Sequence, residues 1–292
     1  GRNWRVTAGL AVIGGVATAG LAVRGWTGLA GNWAGMVPPS ASTSSFAPML
    51  IADQAAYFFI FLLGIFLVLI TGMWLYGREP GSSERPAHRR DAVEFFVLLI
   101  GSAFGMALMV STTNLLMIIL AVEAASLPSY GLAGFRKQHR LAAEASLKYI
   151  LFGAVTSAIM IYGASLLYGR FHTLDLGEIG RTIAMQRVAA GSNLLFGVAL
   201  VAFLIGAAFK ISAVPFHFWC PDVFEGASVE ITTWLSVVSK GAGLALLLRV
   251  LTLMTAPLNY PADVLGRTGR AALAAGVQTV CAADTLQYVT IA

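Results

Sequence analysis

A chain of 292 residues with 58% hydrophobic and 11% charged side chains cannot clothe itself in polar surface, since an ordinary soluble domain is about 25% charged. Lipid has to supply the missing solvent. The net charge of +5 does not mark a nucleic-acid binder, because the arginines flank apolar runs and form no single basic stripe with interleaved aromatics, so no nucleic-acid partner is expected.

A bilayer core of about 30 Å calls for about 20 mostly apolar helical residues. Eight stretches qualify: 6–23, 54–76, 95–111, 114–135, 146–169, 192–219, 228–255 and 270–290. The fold class is all-α, a polytopic transmembrane helix bundle of about eight spans. The first stretch has a signal peptide as its alternative, because Arg2 and Arg5 precede it, but it exceeds the usual apolar region of such a signal, about 7–15 residues.

Residues 31–48, rich in Gly, Pro, Ser and Ala, read as a surface-lying connection. Residues 77–94, with Arg78, Arg85, Arg89 and Arg90, and 136–140, Arg-Lys-Gln-His-Arg, read as solvated loops. With alternating spans these loops and the N-terminus share one side that holds nine Lys or Arg against six on the other, which makes the first side cytoplasmic. Gly101 and Gly105 have the spacing of a close helix contact. Trp74, Tyr76, Tyr168 and Trp219 lie near span ends, as an interfacial aromatic belt requires.

Three spans hold an ionisable group near their midpoints: Glu123, Lys210 and Lys240. Each costs ~2.5–3.5 kcal/mol at a helix centre, so three approach ~10 kcal/mol, the size of a whole fold's net stability. Such a cost points to function. The alternative is that Glu123 and one lysine form a buried pair that only fixes helix register. One acid cannot neutralise two lysines, however, and Lys210 is the more natural mate of Glu123. That leaves Lys240 as the lysine expected to gain and lose a proton.

Nearer a span end, Glu144 precedes Lys148 by four residues on one helix face, either as an interfacial pair or as a step that passes protons or couples to a neighbour. Pro215 lacks an N–H and clashes with the Ile211 carbonyl, so the helix is expected to kink or break there, between Lys210 and His217. His217 is then a proton relay or a satisfied core histidine. The isolated Cys220 and Cys281 and the scattered histidines indicate neither metal site nor disulfide framework, and neither nucleotide-binding glycine motif appears, so no cofactor is expected on this chain.

Three segments carry a family resemblance: Asn114-Leu115-Leu116 through Glu123 to Leu127-Pro128-Ser129-Tyr130; Glu144-Ala145-Ser146-Leu147-Lys148-Tyr149; and Phe209-Lys210 through Pro215-Phe216-His217-Phe218-Trp219-Cys220-Pro221-Asp222-Val223-Phe224-Glu225-Gly226-Ala227. Together they resemble the N subunit of NADH-quinone oxidoreductase, respiratory complex I, over about residues 54–255. The resemblance implies a bacterial inner-membrane protein of two inverted five-helix units, each a half-channel for protons. It makes Glu123 and Lys210 the coupled pair, with Lys210 beside a broken helix, and Lys240 the central channel lysine, with Glu144, Lys148 and His217 on family positions.

Residues 1–94 are then N-terminal helices and a loop, 95–255 one antiporter-like proton-translocating unit, and 256–292 the start of a truncated second unit. Ser228 stands where the family usually has Pro, a minor departure; the family pattern is lost after about residue 260 and the second helical unit with its own channel lysine is absent, so the chain is expected to be a fragment or to have a divergent end. The implied partners are neighbouring antiporter-like and small membrane subunits of complex I, the bilayer, and protons moving through internal water. NADH, FMN, iron–sulfur clusters and quinone would sit on other subunits. A cation/proton antiporter subunit and a non-conducting assembly scaffold are the alternatives.

Overall fold

The computed structural model describes residues 4–29, 49–51, 53–76, 92–136, 139–186 and 194–255, and every regular element among them is helical. Helix α1 (Trp4–Leu29) runs along α2 (Gln54–Tyr76), and α3 (Ala92–Ser111) along α4 (Leu115–Ala133). The long α5 (Arg140–Phe171) packs against α4 on one flank and α7 (Leu194–Lys210) on another. Between them lies α6 (Leu176–Gln186). The chain ends its described course with α8 (Trp219–Gly226) and a rod made of α9 (Val229–Thr233), a π-helical turn (Trp234–Ser239) and α10 (Lys240–Thr255).

Six helices among the described residues are long and apolar enough to cross a membrane. Their outward faces carry exposed Phe104, Leu120, Leu127, Leu151 and Leu248, side chains that only lipid can solvate in such numbers. The chain is thus an integral, multi-pass membrane protein. Expected spans from 6 to 169 all fall on helices, although α5 begins at Arg140 and not at 146. At 32 residues α5 is about 48 Å long, more than a 30 Å hydrocarbon core requires.

Two expectations are refined. The stretch 192–219 is one apolar helix of 17 residues followed by a turn, and the loop drawn over 77–94 gives way to α3 at Ala92. The span 270–290 and the connection 31–48 lie outside the described residues.

At Gly105 an added Cβ would strike the backbone of Ala125, and at Gly101 it would touch the Pro128 ring, so α3 and α4 meet where the glycine spacing predicts. The aromatic belt needs correcting. Tyr76 and Tyr168 are exposed, but Trp74 is buried against Phe95 and Phe96, and Trp219 is buried in the core. Packing inside the bundle gains more from these large rings than the interface does.

At one end of the bundle the starts of three helices are laced together by backbone. Ile51 N–H donates to Ser111 O at 2.7 Å, Leu115 N–H to Leu174 O at 2.8 Å and Leu176 N–H to Thr113 O at 3.0 Å. The Asn114 side chain caps α4 by accepting from the amides of Leu116 and Met117, the use to which Asn is suited at a helix start.

Candidate functional site

Helix α7 stops at Lys210 because Ser212 takes a left-handed conformation (φ 57°) and the Ala213 N–H turns back to Ala208 O at 2.8 Å. The break comes five residues before Pro215, earlier than the proline alone requires, and residues 211–218 form turns. Lys210 is left at a helix end inside the bundle, only 1% exposed.

Its ammonium does not meet Glu123 directly. Lys210 Nζ donates to Ser126 Oγ at 3.1 Å, and the Ser126 hydroxyl donates to Val122 O at 2.6 Å. Ser126 is three residues past Glu123 and so shares its helix face. Glu123, half-buried, turns to α5 and accepts a short hydrogen bond from Ser157. The expected pair is therefore not in contact: Ser126, on the Glu123 face of α4, meets the Lys210 amine, while Glu123 meets Ser157.

Aromatic rings wall this centre. Tyr149 stacks on Trp219 at 4.3 Å, Tyr130 meets Tyr149 edge-on at 4.7 Å, and Phe209 lies 5.3 Å from Trp219. The Lys210 stem leans on α10 at Gly243, where any Cβ would press the Ile211 and Lys210 side chains.

Lys240 begins α10 directly after the π-helical turn, a distortion often found at functional sites. Half-buried, it points to α8: Nζ lies 3.5 Å from Cys220 Sγ and 5.2 Å from the centre of the Phe224 ring. Both of these contacts are to neutral groups, in keeping with the shortage of buried acids.

Lys148 bonds Glu144 at 2.9 Å, as the four-residue spacing predicts, and also Asp222 of α8 at 2.9 Å, a partner that sequence spacing alone does not reveal. All three are exposed, and the cluster ties α5 to α8. His217 sits in the turn, stacked on Phe218 at 4.7 Å. Its Nδ1 makes no hydrogen bond among the described residues. The same holds for the buried Ser212 Oγ, Trp219 Nε1 and Tyr149 Oη around the break, and for Thr232 Oγ1 and Ser239 Oγ on the rod before Lys240.

A further charge pair escapes sequence reading. Arg249 of α10, 8% exposed, donates from Nη2 to Asp53 Oδ1 at 2.7 Å, and the same oxygen caps α2 by accepting from Ala56 N–H at 2.8 Å. The signal available was an arginine inside the stretch 228–255, six residues from its end. No group of His, Cys, Asp and Glu that could hold a metal ion occurs among the described residues.

The family model described as NADH:quinone oxidoreductase/Mrp antiporter, transmembrane, matches residues 112–266, more than half of the chain. NADH-quinone oxidoreductase subunit N 1 of Sorangium cellulosum is 42% identical over 213 residues, which cover 71% of this chain and 40% of that one. A chain of the solved respiratory complex I from Thermus thermophilus with bound aureothin superposes with a TM-score of 0.57 at 30% identity, covering 90% of this chain and 53% of that one. A chain of an archaeal membrane-bound sulfane sulfur reductase shares the fold, with a TM-score of 0.66 at 23% identity, over 84% of this chain and 48% of its own length. The chain spans about 40% of the length of the curated relatives it matches. Helix order, broken α7 and matched residues converge: the chain belongs to the NADH:quinone oxidoreductase/Mrp antiporter transmembrane family.

Proposed function

We propose that this chain is part of a proton-translocating membrane subunit of NADH-quinone oxidoreductase in the bacterial inner membrane, its electron donors and acceptors handled by other subunits. NADH, FMN, iron–sulfur clusters and quinone belong to those subunits, and residues 95–255 form the translocating unit, flanked by helices of 1–94 and by the start of a second unit in 256–292. Neighbouring antiporter-like and small membrane subunits are its partners.

The observation that carries this reading is Lys210: a nearly inaccessible amine at a helix break that donates to the neutral hydroxyl of Ser126. A fully paired lysine would be a static register pin. One held by a serine, with a carboxylate one helical turn away, has a proton equilibrium that a modest change of field can tip. Electron transfer in the parent complex acts by such a change. It arrives at the exposed Glu144–Lys148–Asp222 cluster, which bridges to α8, the helix Lys240 touches.

Proton passage from Lys210 to Lys240 needs carriers between them, and His217, Ser212, Tyr149, Trp219, Thr232 and Ser239 present buried polar atoms with hydrogen-bonding capacity to spare. Internal water serves such groups. His217, whose Nδ1 makes no hydrogen bond among the described residues, is the relay in the turn.

The test replaces Lys210 and, separately, Lys240 with Met in the full-length subunit within its complex. The expected result is an assembled complex that oxidises NADH slowly and pumps few protons. Loss of assembly on Lys210→Met would instead favour a scaffold, and wild-type pumping by Lys240→Met would remove that lysine from the path. Purification without flavin and iron–sulfur subunits would favour the cation/proton antiporter.

A further inference from the structure

Helix α10 carries two cations and no acid: Lys240 at its start and Arg249 nine residues on. Nine residues advance about 13–14 Å along the axis and roughly half a turn around it, so the two point to opposite faces. Lys240 meets α8, while Arg249 lies with Ala242, Leu246 and Val250 on the buried face. A buried guanidinium without a counter-charge would send its field along this apolar helix to Lys240, with little screening by water or salt.

The elements packed on α10 are α2, α3, α6, α7 and the π-helical turn, and Lys240 at its start also reaches α8, whose ionisable groups are Cys220 at the Lys240 Nζ, Asp222 held by Lys148, and Glu225. Their ionisable groups are few. The π-helical turn has none, and α2 contributes the capping Asp53, with Tyr57 and Tyr76. Glu94 sits at the far end of α3, and Lys210 ends α7. On α6, Glu178 and Arg181 are exposed, and Glu178 already accepts from Thr173 at 2.6 Å. Asp53 is the acid that reaches Arg249.

Resting on the reading that Lys240 carries a proton, we propose that Asp53 and Arg249 are a charge-balancing positioning pair for Lys240. Asp53 cancels the one fixed cation on the lysine's own helix, so that the ammonium can form at working pH. The pair lies at the bundle end where 49–51, 111–115 and 174–176 are laced by backbone, so the compensating carboxylate is held in place while the lysine changes state. Asp53 is 35% exposed at that end of the bundle, whereas Arg249 is 8% exposed, so the buried member of the pair is the cation.

The experiment follows proton uptake driven by NADH oxidation, as a function of pH, in membrane vesicles holding the intact complex. Asp53→Asn keeps a helix-capping side chain and leaves Arg249 unbalanced. Separated across the helix as well as along it, one unpaired charge at an effective dielectric of about 20 disfavours protonation of Lys240 by roughly fourfold, so the pH of half-maximal pumping moves about half a unit toward acid. The doubly neutral Asp53→Asn, Arg249→Met variant brings the profile back to wild type.

An unshifted profile in Asp53→Asn, or a double variant shifted as far as the single one, overturns the proposal. Should Asp53→Asn fail to assemble, the double variant alone decides: assembly with a wild-type profile supports charge balance, and failure of both makes the pair a structural latch. Lys240→Met keeps the two ideas apart. If it pumps normally, the carrier assignment falls; if it abolishes pumping while Asp53→Asn leaves the profile in place, only the balancing role falls.

Discussion

The two ends of the bundle each hold a carboxylate against a cation at almost the same distance, 2.9 Å for Lys148 and Asp222 and 2.7 Å for Arg249 and Asp53, yet they do different work. The first pair is exposed on both sides and shares its lysine with Glu144. Water and salt weaken it, and its value is as a contact that can form and part. The second buries its guanidinium and anchors a helix cap, so parting it strands a charge. Distance alone does not rank ion pairs; the medium around them does.

The sharpest way to break this comparison is to remove one partner at each end. Asp53→Ala strands Arg249 and uncaps α2, and is expected to destabilise the fold by about 3–5 kcal/mol, read from denaturant unfolding of the purified subunit in detergent. Ser126→Ala probes the middle of the molecule. Losing a hydrogen bond to a buried cation should cost about 1.5–3 kcal/mol, and Ser126→Thr should recover most of it.

Gly105→Ala tests packing without charge. Its methyl has to displace the Ala125 backbone, for an expected cost of about 1–3 kcal/mol. Lys148→Ala stands at the other extreme and should leave the unfolding midpoint unchanged within error, while lowering the rate of coupled proton transport in the intact complex. A large loss of stability there would erase the distinction between the two ends.

Much of this architecture could be read from the chain. Length and apolarity betray α1 to α5 because a helix in lipid has to be both long and oily. Pro215 betrays the break, and Gly101 with Gly105 the α3–α4 contact. What escaped was set by neighbours distant in sequence. The helix end at Lys210 depends on Ser212 turning left-handed, which its residue type does not announce. The 11-residue α6 is too short for the span criterion. Ser126 could be chosen over Glu123 as the partner of Lys210 only once the fold brings the end of α7 within reach of α4, the two residues being 84 apart in sequence.

Asp222 and Asp53 were invisible for the same reason, each meeting its base across a helix boundary, and Arg249 was masked by the apolar company it keeps. Depth in a span identified the three groups worth asking about, but two-body pairing was too simple a model for them.

The backbone lacing among residues 49–51, 111–115 and 174–176 has a mechanical consequence. It clamps the starts of α4 and α6 and the approach to α2 into a stiff collar, while the opposite end offers turns, exposed ions and a π-helical joint. Rearrangement during turnover should pivot about the collar, and the amides of Ile51, Leu115 and Leu176 should be among the slowest to exchange with deuterium. A bundle tied at one end only is unequally stiff, and the amides of the untied end should exchange sooner.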